Sequence, residues 1–244
     1  MPNIYESPRL LDEYLLFHYA EDAEILPASA PPGQAEALHF AVRTVVENMP
    51  ARPRSRALDL GCAVGRSAFE LSAFCEEVIG IDFSHAFIDA ARHLRDHGAL
   101  AYQRLDEGHQ HTPLTARRPA HARPERVLFE TGDATTLRTD LGAFDLVHAA
   151  NLICRLPDPA RLLARLPALV RPGGTLVLTT PCTWLGEFTP PENWPSGPTL
   201  DWLRQHLDHA FSLDAVRDQP FLIRETARKY QWSLAQASAW SRGS

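Results

Sequence analysis

The sequence lacks any lysine-rich stretch, and its acidic residues outnumber its basic ones. Lysine and arginine together number 24 against 30 aspartates and glutamates, which gives a formal net charge of -6. Proteins that bind a nucleic-acid backbone carry a basic patch that neutralises its phosphates. The composition therefore argues against a nucleic-acid partner and favours a small molecule as the ligand.

Long apolar runs are also absent. No segment approaches the ~20 consecutive apolar residues that cross a bilayer. The opening residues MPNIYESPRLLDEY contain no basic stretch followed by an apolar one, which is the pattern of a secretory signal peptide. We therefore expect a soluble, cytoplasmic protein that does not contact a membrane.

Cysteine is scarce, with four in the chain, and none of them forms a C-x-x-C pair. No histidine and cysteine cluster has the spacing of a zinc site. We therefore expect no metal site, and free, mostly buried thiols at Cys62, Cys75, Cys154 and Cys182.

The sequence does contain an alternation of strand-like and helix-like segments, in a chain that is 45% hydrophobic. Five short apolar segments have strand character, and segments with helical periodicity lie between them. The five strand-like segments are 56–60, 78–82, 127–130, 144–148 and 175–180. This alternation predicts an α/β fold with a mostly parallel sheet and helices on both faces. Two further strand-like runs after Phe211 suit an antiparallel edge hairpin, so we expect seven strands.

Two regions interrupt or precede this pattern. Residues 1–50 are predicted to be helical around a proline-rich break, with one helix from 34 to 48. The segment 103–126 is rich in Arg, His, Pro and Thr, which favours a long surface loop or a partly ordered flap. We expect a single domain over 1–244, with its core in 51–244. The insert's histidines lack metal-ligand spacing and are expected to be solvated: His109, His111 and His121.

The most informative motif is LDLGCAVGR, which runs from Leu58 to Arg66 between the first predicted strand and the first predicted helix after it. Ligands of doubly wound sheets bind at the carboxyl ends of the strands, and glycines there let the backbone approach the ligand closely. The candidate cofactor-binding residues of this turn are Asp59, Gly61, Cys62, Ala63, Gly65 and Arg66.

The turn departs from the dinucleotide-binding pattern G-x-G-x-x-G. Ala63 stands where the second glycine of that pattern would be, and the acidic Asp59 comes just before the first glycine, Gly61. A carboxylate at this point repels a diphosphate but attracts an ammonium and a sulfonium. The turn therefore favours S-adenosylmethionine (SAM) and disfavours the alternative of an NAD-dependent oxidoreductase.

Two further carboxylates end the next two strands. Asp82 is placed to accept hydrogen bonds from both ribose hydroxyls, and Asp133 to accept one from the adenine amino group. Each alone also fits a helix N-cap or a turn, but three acids at three strand ends with a glycine turn together predict a SAM site. Their neighbours complete the predicted cofactor contacts: Phe83, Ser84 and Ala134.

Asn151 and Arg155 follow the fourth strand, whose end adjoins the centre of methyl transfer if the cofactor is SAM. We expect Asn151 to face the methionine part of the cofactor or the acceptor, and Arg155 to face the acceptor. The alternative is that Asn151 caps the turn and that Arg155 is a surface charge.

Six segments carry a narrower signal than these motifs, and they cover nearly the whole chain except the insert. They are NIYESPRLLDEYLLFHY from Asn3, RALDLGCAVGRSAFEL from Arg56, EEVIGIDFSHAFIDAA from Glu76, AANLICRLPDP from Ala149, LVRPGGTLVLTTPCTWLGEFTPPENW from Leu169 and PFLIRETARKYQWSLAQASAW from Pro220. In these segments the chain resembles the mercaptohistidine N-methyltransferase family of ovothiol biosynthesis.

The resemblance implies a Rossmann-like class I SAM-dependent methyltransferase with an N-terminal helical lid over the cofactor cleft. The implied reaction is methylation of a ring nitrogen of 4-mercaptohistidine (5-thiohistidine), which gives ovothiol A and S-adenosylhomocysteine (SAH). In that family the domain often follows an iron-dependent sulfoxide synthase domain. Because this chain begins at the methyltransferase, we expect a stand-alone form whose synthase is a separate protein.

This reaction indicates which residue types should bind the acceptor. An arginine can bind the α-carboxylate with two parallel hydrogen bonds, and the candidates are Arg43, Arg155 and Arg224. The ring calls for aromatic walls, for which the candidates are Tyr5, Tyr14 and Trp184. His18 is the candidate base, and Tyr14 and Asn151 are the other catalytic candidates. The alternative for Tyr14 and His18 is ordinary packing of an amphipathic helix.

Two alternative functions remain open at this stage. The first is a SAM-dependent methyltransferase that acts on another small amino-acid-like or thiol metabolite. The second is a SAM-binding module without catalytic activity.

Overall fold

A computed structural model of the chain describes residues 4–48 and 54–243. The expected boundary between the N-terminal segment and the core, at residues 50 and 51, lies outside the described residues. The strands are β1 (Arg54–Leu60), β2 (Cys75–Asp82), β3 (Ala99–Glu107), β4 (Gln110–Arg117), β5 (Val127–Thr131), β6 (Phe144–Ala150), β7 (Val170–Thr180), β8 (Phe211–Arg224) and β9 (Tyr230–Arg242). The helices are α1 (Pro8–Tyr19), α2 (Asp22–Ile25), α3 (Phe40–Val46), α4 (Arg66–Ser72), α5 (His85–His97), α6 (Pro159–Leu169) and α7 (Thr199–Leu207).

Seven strands form one sheet in the order β5-β2-β1-β6-β7-β9-β8. The first five are parallel to each other, whereas β9 runs antiparallel to both β7 and β8. The prediction of a mostly parallel sheet with an antiparallel edge hairpin is therefore confirmed. The strand order reverses between β1 and β6, and ligands of such sheets bind at the carboxyl ends beside this reversal.

Successive side chains of β1 point to opposite faces of the sheet and pack into two separate cores. Ala57 packs into one core together with residues of α4 and α5, whereas Leu58 and Leu60 pack into the other together with residues of α6 and α7. All three are fully buried. Each buried leucine contributes roughly 1.5–3 kcal/mol of transfer free energy, so helices on both faces hold β1 in place.

The insert is not a loop or a flap, and this prediction was wrong. Strands β3 and β4 pair as an antiparallel hairpin around Gly108, which has a φ of 55°. Tyr102 on β3 and Ala116 on β4 are buried. The arginines, histidines and prolines around them obscure this apolar pattern in the sequence. His121 is not simply solvated either, since its Nε2 lies 2.8 Å from the buried Glu70 carboxylate.

Two helix predictions also need correction. The single helix expected over 34–48 is divided into a 3-10 turn, Gln34–Ala37, and α3. The division falls at His39, which has a φ of 55° and so cannot continue a right-handed helix. Helix α7 was not predicted from the sequence, because its nine residues follow a segment dense in proline, glycine and serine.

The turn between β1 and α4 depends on Gly65. Its φ of 87° lies in the left-handed region, and a Cβ added there would stand 2.6 Å from Cζ of the buried Phe129 ring. Gly33 has the same φ of 87°, but nothing lies within 4 Å of its added Cβ. The two glycines therefore separate backbone strain from steric overlap.

We predict that Gly65→Ala is more destabilising than Gly33→Ala. Both substitutions place an alanine in the left-handed region, at a cost of roughly 1–2 kcal/mol, but only Gly65→Ala adds an overlap with Phe129. Overpacking of this kind typically costs about 1–3 kcal/mol more. Urea unfolding of both variants measures the difference. Equal losses in the free energy of unfolding would show that Phe129 does not close this turn.

Candidate cofactor and acceptor site

The glycine turn folds tightly at the carboxyl end of β1. Gly61, Ala63 and Gly65 all have positive φ, at 68°, 46° and 87°. Alanine rarely adopts this conformation, and here its amide donates a 2.8 Å hydrogen bond to Oδ2 of Asp82. The turn thus holds a non-glycine residue where a dinucleotide-binding loop has glycine. Cys62 lies between Gly61 and Ala63. Its thiol is buried, and burial raises the pKa of this thiol well above the usual range.

Asp82 joins the ends of β1 and β2. Besides the Ala63 amide, it accepts a 2.9 Å hydrogen bond from the amide of Ser84. Burial raises the pKa of Asp82 to about 6, although the amides of Ser84 and Ala63 oppose the rise. A further pair of hydroxyl donors would stabilise its charged form. The next residue, Phe83, is 59% exposed, which leaves its ring face accessible beside this carboxylate.

The side chain of Ser84 caps a helix, so it does not serve as a free cofactor contact. Its Oγ accepts a 3.1 Å hydrogen bond from the amide of Phe87 and donates one of 2.9 Å to the carbonyl of Tyr5. The Glu6 carboxylate accepts from the amide of His85 at 2.8 Å in the same helix turn. These bonds fasten the N-terminal segment to the start of α5, directly beside the end of β2.

Asp59 lies deeper than the sequence alone indicated. It is 1% exposed, and its Oδ1 lies 2.7 Å from Nδ1 of His148, which is equally buried on the neighbouring strand β6. The remaining oxygen, Oδ2, is buried and has no hydrogen-bond partner within the described part of the chain. His148 was missed by the sequence analysis, although it is the direct register partner of Asp59.

Arg66 and His18 present two further buried atoms without a hydrogen-bond partner in the described residues, the Nε of the arginine and the Nδ1 of the histidine. Arg66 also forms a 2.9 Å ion pair with Glu70 and lies over the Tyr19 ring. Burial, with a smaller contribution from the charge of Arg66, lowers the pKa of His18 to about 3. His18 is therefore neutral at physiological pH, and so weak a base does not support its predicted role as the catalytic base.

These unpartnered atoms match the methionine end of SAM. An ammonium needs an acceptor such as Oδ2 of Asp59, and a carboxylate needs a donor such as Nε of Arg66. Buried polar atoms are normally hydrogen-bonded, so a zwitterionic ligand would satisfy both. The residues present thus fit the predicted cofactor.

The third carboxylate, Asp133, forms a turn at the end of β5. Its Oδ1 accepts hydrogen bonds of 2.7 Å from both the amide and the hydroxyl of Thr135. A cavity of about 290 Å³ opens beside Asp133, and Gly132 and Leu137 are among its lining residues. The neighbouring Ala134 is buried. This arrangement leaves a recess for a flat ring next to the loop.

Asn151 lies in the left-handed region, with a φ of 53°, directly after β6. Its backbone amide donates to the carbonyl of Thr179 at 2.8 Å, and its side-chain Oδ1 accepts a 3.1 Å hydrogen bond from the Thr179 hydroxyl. The side chain therefore caps this turn, as the alternative interpretation has it. Its position at the strand end still places it beside the glycine turn.

An aromatic cluster brings several predicted acceptor residues together. The ring of Tyr14 stacks on that of His18 at 5.7 Å and contacts the ring of Tyr5 edge-on at 6.3 Å. The guanidinium of Arg155 lies 4.7 Å from the Phe188 ring centre, which is 6.2 Å from that of Tyr5. A neutral imidazole, two phenols and a cation thus form one continuous row of contacting side chains, a polar and aromatic wall.

Electrostatic effects link this wall to the cofactor edge. Burial raises the pKa of Tyr5, as does the charge of Asp82, whereas Arg155 lowers it. Burial likewise raises the pKa of Tyr14 well above its ordinary value, with Tyr5 and Asp82 adding to the rise. Tyr14 on α1 and Tyr5 in the segment before it therefore both lie close enough to Asp82 to feel its charge.

Arg43 is not brought to this wall. Its Nε donates to the carbonyl of Leu38 at 2.9 Å, and its Nη2 donates to the carbonyl of Pro220. Another nitrogen lies 3.8 Å from the Glu47 carboxylate. These contacts use Arg43 to attach α3 to β8.

Arg224 and Trp184 also lie elsewhere. Arg224 donates to the carbonyl of Ile25 at 2.9 Å and to Asp106 at 3.1 Å, and it borders a separate cavity of about 220 Å³ between α1, the β3–β4 hairpin and β8. Trp184 donates to the hydroxyl of Thr199 at 3.2 Å and packs against α7. Both predicted acceptor contacts therefore take part in packing between elements.

Within residues 4–48 and 54–243, no group of three or more His, Cys, Asp or Glu side chains is placed to hold a metal ion. The same ranges contain no helix with the length and apolar character needed to cross a membrane. Cys62, Cys75 and Cys154 are buried, whereas Cys182 is exposed.

Comparison with known families assigns most of the chain. The profile of a family described as "Methyltransferase domain" matches residues 34–219. Among solved structures, the N-methyltransferase NodS from Bradyrhizobium japonicum WM9 in complex with SAH superposes with a TM-score of 0.55 at 15% identity. That superposition covers 98% of this chain and 100% of NodS, and it shows a shared fold.

The curated relatives are longer proteins than this chain. A trans-aconitate 2-methyltransferase from Deinococcus radiodurans is 30% identical over 167 residues, which are 68% of this chain and 47% of that protein. A ubiquinone biosynthesis O-methyltransferase from Coxiella burnetii is 25% identical over 153 residues, which are 62% of this chain and 55% of that protein. The chain thus spans about half the length of these relatives.

We predict that SAH affinity rises with pH because of Asp82. Ligand hydroxyls that donate to this group favour its carboxylate, so binding releases a proton near the raised pKa of about 6. At pH 5 only about one site in ten is ionised, so affinity should be about tenfold weaker than at pH 7.5. Titration calorimetry across this range measures the effect.

Asp82→Asn is the control for this prediction. The amide cannot ionise, so the variant should bind SAH more weakly at pH 7.5 and with no dependence on pH. A flat wild-type profile, or an equal slope in the variant, would contradict the placement of the ligand hydroxyls at Asp82.

Proposed function

This chain belongs to the family of SAM-dependent methyltransferase domains, and on that premise we propose that it methylates a ring nitrogen of 4-mercaptohistidine to give ovothiol A and SAH. The observation that carries the proposal is the shared wall of His18, Tyr14, Tyr5 and Arg155 beside the cofactor edge. Its chemistry matches a small amino acid with an imidazole ring. The sequence resemblance to mercaptohistidine N-methyltransferases supports the same acceptor.

The cofactor edge has one role for each carboxylate. When bound, SAM supplies a methyl group on a positively charged sulfur. Asp59 would accept a hydrogen bond from the ammonium of its methionine part, Asp82 from the ribose hydroxyls, and Asp133 from the adenine amino group. The exposed ring of Phe83 would pack against the adenine.

Arg155 is proposed to bind the α-carboxylate of the acceptor. Its Nη1 is held by the carbonyls of Cys154 and Thr183 at 3.1 and 3.2 Å. This bond pattern fixes the plane of the guanidinium, which also forms a side-chain hydrogen bond with Tyr5. A fixed, planar donor pair is the arrangement that binds carboxylates in two parallel hydrogen bonds.

His18 and Tyr14 are proposed to hold the acceptor ring. Because the pKa of His18 is about 3, its imidazole remains neutral and is a weak proton acceptor. Its unpartnered Nδ1 can accept a hydrogen bond from a ring N–H and so direct the opposite ring nitrogen toward the methyl group. Orientation of this kind contributes much of the rate in such reactions, and it keeps the softer sulfur out of line.

Helix α1 is proposed to act as the lid. It carries Tyr14 and His18, and the segment before it is anchored to α5 through Tyr5 and Glu6. With α1 in this position, water is excluded from the ring and the carboxylates. The supply of the acceptor is proposed to depend on a sulfoxide synthase.

The test compares acceptors. The protein is incubated with SAM and either 4-mercaptohistidine, histidine or trans-aconitate, SAH release is followed, and mass spectrometry locates the new methyl group. We expect methylation on a ring nitrogen of mercaptohistidine, with kcat/KM for histidine lower by about 100-fold, because a site built around a polar substrate group rejects the analogue without it. Equal activity on histidine, or methylation at sulfur, contradicts the proposal.

Other outcomes would identify the alternatives. Turnover of trans-aconitate alone would favour the acceptor for which two of the relatives are named. Turnover of a different thiol or amino-acid-like metabolite would keep the enzyme class but change the acceptor. SAH binding without turnover of any acceptor would make the chain a non-catalytic binding module.

Arg155→Met supplies the residue-level control. We expect KM for the acceptor to rise by about tenfold or more, as for the loss of hydrogen bonds to a charged group, with little change in KM for SAM. Arg161→Met is the matched variant, because Arg161 is exposed on α6 and should leave both constants unchanged. An equal effect of the two substitutions would remove Arg155 from the acceptor site.

A further inference from the structure

A buried pair under the glycine turn is not explained by the cofactor contacts alone. Asp59 on β1 and His148 on β6 are register partners, each is 1% exposed, and Oδ1 lies 2.7 Å from Nδ1. Both side chains point to the sheet face covered by α3, where Thr44 contacts Nε2 of His148 at 3.1 Å. A buried aspartate needs such a partner, because an isolated buried carboxylate is strongly disfavoured.

The hydrogen bonds assign the direction of donation. Nδ1 of His148 faces a carboxylate oxygen, which is an acceptor, so the ring donates from Nδ1 to Asp59. Nε2 of the same ring lies 3.1 Å from the hydroxyl of Thr44, a group that can donate or accept. Thr44 therefore sets the orientation of the ring.

The surroundings of Asp59 offer little other support. The charge of Asp59 raises the pKa values of Cys62, Tyr19 and Asp82, so all three lie close enough to feel it. None of these groups is a cation. The nearby Arg66 is paired with Glu70. The hydrogen bond from His148 is thus the contact that fixes Oδ1 of Asp59.

We propose that His148 is a positioning residue for the cofactor. By holding Oδ1 of Asp59, it fixes the carboxylate so that the unpartnered Oδ2 faces the ammonium of the methionine part. This inference rests on the cofactor assignment of the proposed function, and it does not depend on the identity of the acceptor. His148 itself does not touch the reacting atoms.

The experiment compares two ligands and two variants by titration calorimetry. SAH carries the amino and carboxyl groups, whereas 5′-methylthioadenosine keeps the adenosine and the thioether but lacks both groups. In His148→Asn, the amide nitrogen occupies the place of Nδ1 and can still donate to Asp59. In His148→Gln, the amide nitrogen occupies the place of Nε2, so the bond to Thr44 is kept and the bond to Asp59 is lost.

We expect His148→Gln to weaken SAH binding by about tenfold or more, as for a lost hydrogen bond to a charged group. Its affinity for 5′-methylthioadenosine should stay within about threefold of the wild type, which also shows that the variant is folded. His148→Asn should retain SAH binding within the same factor. Asp59→Asn should weaken SAH binding as His148→Gln does, and the double variant should add little further loss.

Four results would overturn the inference. Equal weakening of both ligands in His148→Gln would mean that His148 only supports the fold. An equal loss of SAH affinity in His148→Asn and His148→Gln would mean that donation to Asp59 does not determine binding. Unchanged SAH affinity in His148→Gln would show that Asp59 needs no hydrogen-bond partner to bind the ligand. Failure of the wild type to bind SAH would overturn the cofactor assignment as well, whereas failure on mercaptohistidine would leave this test intact.

Discussion

The site depends on the carboxylate of Asp82, which ties two strand ends together. It accepts hydrogen bonds from the amides of Ala63 and Ser84, so the glycine turn after β1 and the start of α5 share one anchor. This anchor offsets the cost of the left-handed conformation at Ala63. Because the N-terminal segment is bonded to the same helix start through Tyr5, the predicted lid also takes its position from this point.

Asp82 is one of three carboxylates that give the cleft its negative charge. Asp59, Asp82 and Asp133 end three strands that are adjacent in the sheet, and each has a different support: a histidine, backbone amides and a threonine. Supported acids can remain buried where isolated ones cannot. Their summed negative charge favours a ligand with an ammonium and a sulfonium over one with a diphosphate.

Much of this was readable from the sequence because it is local. The strand pattern and the glycine turn each lie within a few residues of the feature they determine. The pairing of Asp59 with His148 was not readable, since 89 residues separate them and only the β1–β6 register joins them. Arg43 and Arg224 were misplaced for a related reason: a long side chain can reach many acceptors, and the fold directs these two to backbone carbonyls.

The central claim is that this carboxylate-lined edge selects a positively charged methyl donor. Titration calorimetry at pH 7.5 with SAM and with NAD⁺, at matched concentrations, tests it most directly. The account predicts saturable heat with SAM and none with NAD⁺. Binding of NAD⁺ without binding of SAM would contradict it.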